Sequence, residues 1–305
     1  MKFIFIGFLL MVFSMKTYSS EFRGIWVITW EIYKKDGEFL RGEKLKSHIR
    51  EILDNVQKAR FNSVIWQVRQ GGTAYYNSPY ELWGKYLGFK SPGFDPLEFA
   101  IEEAHKRNLL LHAWVNTFEA RDFFKGTPSY EFPHWVCRNN EDQPMPEKRT
   151  LSPGLPQVRS YLHEVFYDLA SRYNIDGLHL DYIRWSEFEK DDFKQLNPGW
   201  GFDELHPYHL GIPQGHKSWE NWRRDSLNKF IKNLREKLNL LDKKIWLSIA
   251  GIGQYNWGIW NAFHAVFQDS ILWLKQGWID HLMGMNYYWH NFDSMRSHLS
   301  EGCPN

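Results

Sequence analysis

Short apolar runs and helix-periodic segments alternate along almost the whole of this chain. The runs are Arg23 to Thr29, Asn62 to Val68, Leu109 to Val115, Ile175 to Trp185, Ile245 to Ala250 and Ile279 to Tyr287. Between them lie Gly42 to Ala59, Pro96 to Arg107, Pro156 to Tyr173, Trp219 to Leu238 and Ser270 to Gln276, with apolar residues at helix spacing. Asp95 precedes Pro96 as an N-cap precedes a first-turn proline. Repeated strand–helix alternation predicts an α/β protein with a parallel sheet. The first strand is not followed by a glycine-rich phosphate turn, which argues against a dinucleotide-binding sheet. The long segments all follow strands: Gln70 to Gly93, Thr117 to Pro153, Ser186 to Lys217 and Gly251 to Gln268. Elaboration on the C-terminal side alone is the mark of a (β/α)8 barrel enzyme.

The count of units falls short of eight. After Tyr287 the chain runs only to Asn305, whereas two more strand–helix units need roughly 60 to 70 residues. The expectation is a barrel without its last two βα units, with six sequential parallel strands and an open seam, read as C-terminally incomplete. Residues 1–20 read as a secretory signal peptide. Lys2 gives a positive start, Phe3 to Phe13 is an apolar stretch too short to span a bilayer comfortably, and Thr17-Tyr18-Ser19 suits a signal peptidase. Residues 21–305 then form one exported barrel domain with no stable membrane insertion. The net charge of +1 gives no reason to expect a nucleic-acid partner. Cys137 and Cys303 are too few for a disulfide framework. The 16 Trp exceed what core packing usually needs, since each indole N–H wants a partner. About a third of them are expected to line a ligand groove.

The fourth run, IDGLHLDYIRW, is the most informative. Its alternation puts His179 and Asp181 on one face of a strand that should be apolar on both sides. A buried carboxylate needs a reason. A salt bridge to a nearby Arg is one. A place at the active-site end of a barrel strand is the other. Other strand ends are polar too: Gln67 and Arg69 on the second, His112, Trp114 and Asn116 on the third, Tyr182 and Arg184 after the fourth, and Asn286, Tyr287, Tyr288 and Trp289 on the sixth. A metal hydrolase built on His112, His179 and Asp181 lacks an HxH or HExxH signature, and a serine nucleophile lacks its GxSxG elbow. Nothing calls for a cofactor. Paired carboxylates among many aromatics fit glycoside hydrolysis. Asp181 is the first carboxylate. Glu119, Glu31 and Glu187 are the candidates for the second.

The chain resembles the bacterial glycosyl-hydrolase-like family distantly related to family ten glycoside hydrolases. The resemblance is carried in order by EFRGIWV, VIWQVRQGGTAYYNS, PGFDPLEFAIEEAHKRNLLLHAWVN, LSPGLPQVRSYL, IDGLHLDYIRW, WRRDSLNKFIKNL and WIDHLMGMNYYW. It implies an exported barrel glycosidase acting on a polysaccharide, peptidoglycan glycan strands among them. Asp181 resembles the family's strand-four acid. Arg69, His112, Trp114, Asn116, His179, Tyr182 and Arg184 resemble its barrel-mouth residues. Two departures stand out. The family often reads Gly-Asp-Ala where this chain has Gly72-Thr73-Ala74, and Pro-Gln-x-Tyr where it has Met285-Asn286-Tyr287-Tyr288. On this reading Asp181 is nucleophile or base and Glu119 is the acid, with Glu31 second in line. Arg69, His179 and Arg184 keep Asp181 ionised. Trp26, Trp114 and Trp289 are sugar platforms, while Asn116 and Asn286 bond sugar hydroxyls. The rival is a carbohydrate-binding barrel without turnover. A metal-dependent deacetylase or amidase on a similar barrel is a third idea.

Overall fold

The computed structural model describes residues 21–147, 149–186, 200–258 and 260–286. The leader, Glu187, Tyr288, Trp289 and Cys303 lie outside them. Six strands form the central sheet: β1 (Gly24–Val27), β2 (Ser63–Gln70), β3 (Leu110–Asn116), β4 (Gly177–Asp181), β5 (Trp246–Ile252) and β6 (His281–Met285). They are parallel and in sequential order, with a short antiparallel return, Thr73–Ala74, on the end of β2. The helices α1 (Gly42–Lys58), α2 (Pro96–Lys106), α3 (Pro156–Arg172), α4 (Trp219–Leu238) and α5 (Ser270–Lys275) fall between them as expected. A hairpin of Lys34–Lys35 against Glu38–Phe39 was not legible in the periodicity.

The sheet is curled. Strands β1 and β6 are five steps apart, roughly 24 Å on a flat sheet. Yet the ring of Phe22, just before β1, stacks on His281 of β6 with centroids 5.7 Å apart. The same ring meets His112 of β3 edge-on at 5.3 Å. Among the described residues no strand joins β1 to β6, so the barrel has an open seam there.

Alternation along the strands separates two environments. On the outer face Val64, Trp66, Leu111, Ala113, Val115, Leu178, Leu180, Leu247 and Ile249 are buried against the helices. Those helices present matching stripes, Leu45, Ile49, Leu53 and Val56 on α1, and Val158, Leu162, Val165, Phe166 and Leu169 on α3. Each fully buried aliphatic chain contributes about 1.5–3 kcal/mol. Asp95 caps α2 by accepting from the N–H groups of Leu97 and Glu98, at 3.0 and 3.3 Å. Of the 16 tryptophans, Trp66, Trp135, Trp185, Trp200, Trp222 and Trp273 belong to the buried core, and Trp83, Trp219 and Trp278 pack against it.

The inner face is polar. Trp26 Nε1 donates to His179 Nε2 at 3.2 Å, which leaves the His179 Nδ1–H to meet Ser248 Oγ at 2.9 Å. Burial pushes His179 down to about 3 and His112 down to about 4, so both are neutral imidazoles. Room for the His112 ring depends on Gly177, where a Cβ would lie 2.1 Å from His112 Nδ1.

Candidate active site

Above this floor the C-terminal tips of β2, β3 and β4 form the bowl. Asn116 and Asp181 are register partners. A chain of side-chain bonds crosses the bowl from Thr29, whose N–H donates to Gln67 Oε1 at 3.1 Å. Gln67 Nε2 donates to Asn116 Oδ1 at 3.2 Å, and Asn116 Nδ2 to Glu119 Oε2 at 3.2 Å. Glu119 Oε2 also accepts from the Gly71 N–H at 2.8 Å, and its other oxygen lies 3.3 Å from Arg121 Nε.

Asp181 ends β4 and is partly exposed. The strand stops there because Tyr182 takes a left-handed φ of +49°, unusual for a bulky residue. That turn lets the Tyr182 N–H donate back to Asp181 Oδ1 at 2.7 Å. It also undoes the alternation that would send Arg184 to the far face. The guanidinium instead lies over the Tyr182 and Trp260 rings, at 5.2 and 5.7 Å. Burial raises the pKa of Asp181. The Tyr182 N–H, Arg184 and Trp114 work against that rise, and Glu119 adds to it. The Trp114 indole N–H acts on the carboxyl from short of hydrogen-bond geometry and has no bonding partner among the described residues. Tyr182 itself is raised by burial and by Asp181.

Several expected site residues are placed elsewhere. Arg69 does not reach the bowl. A bulge between Gln67 and Arg69 shifts the phase of β2, so Arg69 is level with Val115 and faces the helices. There its Nε and Nη2 grip Glu81 at 2.7 to 3.0 Å. His179 is in the floor, neutral and bonded on both nitrogens, so it does not hold Asp181 ionised by charge. His112 is buried below it. Glu119 is 2% exposed and its oxygens are already engaged by the Gly71 N–H, the Asn116 amide and Arg121, so it does not present a free carboxyl to the bowl as the expected acid would. Glu31 sits exposed on the short helix Thr29–Tyr33. Trp114 is 8% exposed and Trp26 45%, so of these two only Trp26 offers open ring area. Asn286 follows β6; its amide donates to the Gly284 carbonyl at 3.5 Å, and its Oδ1 packs against Gly253 just past β5, where a Cβ would lie 2.0 Å from it. Among the described residues no group of three or more His, Cys, Asp or Glu side chains is arranged to hold a metal. Asp122 is a residue that the sequence reading passed over. It meets Thr73 Oγ1 at 3.2 Å, beside the Gly71-Gly72 turn. The only hint was that glycine pair, which announces a tight return but not what packs on it.

A curled parallel sheet flanked by helices, with carboxyls gathered at its C-terminal tips, defines an incomplete (β/α)8-type barrel. Solved structures share that fold. The PgaB (BpsB) glycoside hydrolase domain from Bordetella bronchiseptica matches with a TM-score of 0.61 at 15% identity, over 92% of this chain and 79% of that one. An α-galactosidase from Lactobacillus brevis matches at 0.54 and 12% identity, over 93% of this chain and 32% of that one. The chain belongs to the glycosyl hydrolase-like 10 family, which it matches over residues 21–301. It is 26% identical to the glycosyl hydrolase YngK of Bacillus subtilis over 90% of its own length and 55% of that protein. To the glycosyl hydrolase DigH of Escherichia coli K12 it is 22% identical over 88% of its length and 66% of the relative. The chain therefore spans between about half and two thirds of these relatives.

Proposed function

We propose that this chain is an exported glycosidase that cleaves a polysaccharide, with peptidoglycan glycan strands the first substrate to try, and that Asp181 is its nucleophile or base. The observation that carries this is the state of Asp181. It is a partly exposed carboxyl at a strand tip whose polar neighbours are donors, Tyr182 N–H, Arg184 and Trp114, while burial raises its pKa. Donors favour the ionised form, and a raised pKa makes that form a stronger base. The half-exposed Trp26 ring offers a sugar an aromatic contact, whereas Asn116 is buried with its amide bonded to Gln67 and Glu119. Export rests on the composition of residues 1–20.

The saturated state of Glu119 favours one rival, a barrel that binds glycan without cleaving it. Incubation with purified glycan strands lacking stem peptides, with products read by mass, separates the two. Shorter strands from the wild type and intact strands from Asp181→Asn are expected. Tight binding with no shortening in either would establish the rival.

A further inference from the structure

We propose that the exposed aromatics on the loops after β1, β2 and β3 form a platform for a glycan chain leaving the bowl, with Phe123, Tyr130 and Arg149 as its outer subsite. This rests on the glycosidase reading above and deepens it. The substrate becomes an extended chain gripped along its length, not a single terminal sugar.

Exposed rings are confined to one end of the barrel. Among the described residues nine Phe, Tyr or Trp side chains are at least 39% exposed. All nine lie in β1 or between a strand and the helix that follows it, the end of the sheet that carries Asp181. None lies on a turn that leads from a helix into a strand. Chance exposure would leave rings at both ends. Apolar surface gathered at one end marks a binding surface.

Neighbouring rings connect into a row. Trp26 begins it in the bowl, bonded to His179. Trp30, on the short helix that follows, meets Tyr86 edge-on at 6.2 Å. Tyr86 lies in the turn Lys85–Leu87, and Phe89 just beyond it meets Phe124 at 4.7 Å. Phe123, next to Phe124 in the chain, lies 5.3 Å from Tyr130, and these two rings are 48% and 46% exposed. The outer end comes back to the bowl through the backbone. The Phe118 N–H donates to the Tyr182 carbonyl at 3.4 Å, and the Leu151 N–H to the Phe118 carbonyl at 2.8 Å. Glu119 is bridged to Thr150. Residues 149–151 therefore run two backbone rows from Tyr182, about 10 Å at the usual row spacing. Arg149 joins that second row to Phe123, its guanidinium 4.1 Å from the ring centre.

The chemistry of the row fits a sugar chain. A pyranose presents C–H groups on its faces, which meet the negative face of an aromatic ring. Its hydroxyls need donors and acceptors beside that ring, and polar groups stand there. The Arg149 guanidinium forms no ion pair among the described residues. Lys85 Nζ lies 6.0 Å from the Tyr86 ring centre, Arg121 is 60% exposed and Asp122 is partly exposed. Within these loops Lys85, Arg121 and Arg149 are offset by Asp122, Glu131 and Glu147. The row thus lacks the basic excess that draws a protein to an anionic bilayer. Its rings are separated by charged side chains, unlike the continuous apolar patch of a protein interface. Its inner end is continuous with the bowl at Trp26.

The test uses the full chain and glycan strands lacking stem peptides, fractionated by length. Wild-type KM should fall as the strands lengthen. Phe123→Ala combined with Tyr130→Ala removes two exposed rings and should raise KM on long strands by about tenfold, with little change in kcat. The loss should shrink as the strands are shortened. Phe123→Trp combined with Tyr130→Trp restores ring area and should restore KM. Calorimetric binding to Asp181→Asn, which leaves the strands intact, gives a readout independent of turnover. It should show the same dependence on length and the same loss when the alanine pair is added. Unmoved KM and binding on long strands in the alanine pair overturn the platform and leave Asp181 standing. Length-dependent binding without cleavage in the wild type overturns the glycosidase reading and keeps the platform. A wild type that neither binds nor cleaves the strands overturns both. Sedimentation with phosphatidylglycerol vesicles that the alanine pair loses, with glycan binding intact, assigns the row to a membrane and overturns the proposal.

Discussion

Two guanidinium–carboxyl neighbourhoods lie near the same height of the sheet, one on each side of it. On the helix side Glu81 accepts from Arg69 Nε and Nη2 and from the Tyr161 hydroxyl at 3.0 Å, and neither side chain of the ion pair is exposed at all. Burial works against the charge of Arg69, but Glu81 outweighs it and raises the guanidinium further. On the bowl side Asp181 has one backbone bond, Arg184 nearby and a face open to solvent. The sequence offers the same ingredients in both places. The difference is saturation. A carboxylate whose lone pairs are all used and whose surface is all covered holds the fold. One left with donors at hand and a raised pKa is free to exchange a proton.

The largest test of that contrast is Asp181→Asn. We expect activity on glycan strands to fall by at least about 10³-fold, roughly 4 kcal/mol of transition-state stabilisation. Thermal stability should hold or rise slightly, since the neutral amide sheds the cost of a buried charge. A large stability loss with activity retained per folded molecule would make Asp181 the structural member of the comparison.

The mirror experiment is Glu81→Gln. It strips the charge that Arg69 pairs with inside a dry layer, and breaking one half of such a pair costs about 3–5 kcal/mol. Denaturant unfolding should show that loss, while turnover of the remaining folded protein stays near wild type. A stable but inactive Glu81→Gln would place the helix-side pair in the chemistry.

The floor beneath the bowl sets the acid limit of the fold. Unfolded, His112 and His179 take up protons below about pH 6.5. Folded, burial keeps them neutral down to about 4 and about 3. Between those limits the unfolded chain binds more protons, so this contribution is complete above pH 6.5 and is lost as the pH falls toward 4 and then 3. The loss is on the order of a few kcal/mol. Urea titrations from pH 7 to 4 should show stability falling, with a shallower fall in His112→Phe. Flat stability over that range would mean the imidazoles are not sealed.

Periodicity made the order of elements legible, because each strand and helix has to bury its own apolar side. It also carried Asp181 and the Asn116 beside it, whose faces follow from plain alternation. It failed where alternation is broken by a single backbone event. The bulge in β2 turned Arg69 outward, and the left-handed Tyr182 turned Arg184 back toward the bowl. It failed too where neighbours come from a loop. Asp122 reaches Thr73 only because the β3 loop folds onto the Gly71-Gly72 return, a contact between positions 49 apart in sequence. Loops lack the period that lets a strand's faces be read.

The smallest expected effect asks on which side of the contrast Trp26 belongs. Its N–H is bonded to His179, as a structural group's would be, yet its ring is 45% exposed, as a sugar platform's would be. Trp26→Phe keeps an aromatic face and removes the donor. A net hydrogen bond of this kind is worth about 1 kcal/mol, so urea unfolding at pH 7 should shift by about that much. Removing the donor also frees His179 Nε2 to accept a proton, so its pKa should rise and the stability gap to wild type should widen between pH 7 and pH 5. If Trp26 is only a platform, the gap will be absent at both pH values and KM for glycan strands will change instead. If it is structural, KM will hold while the acid sensitivity grows.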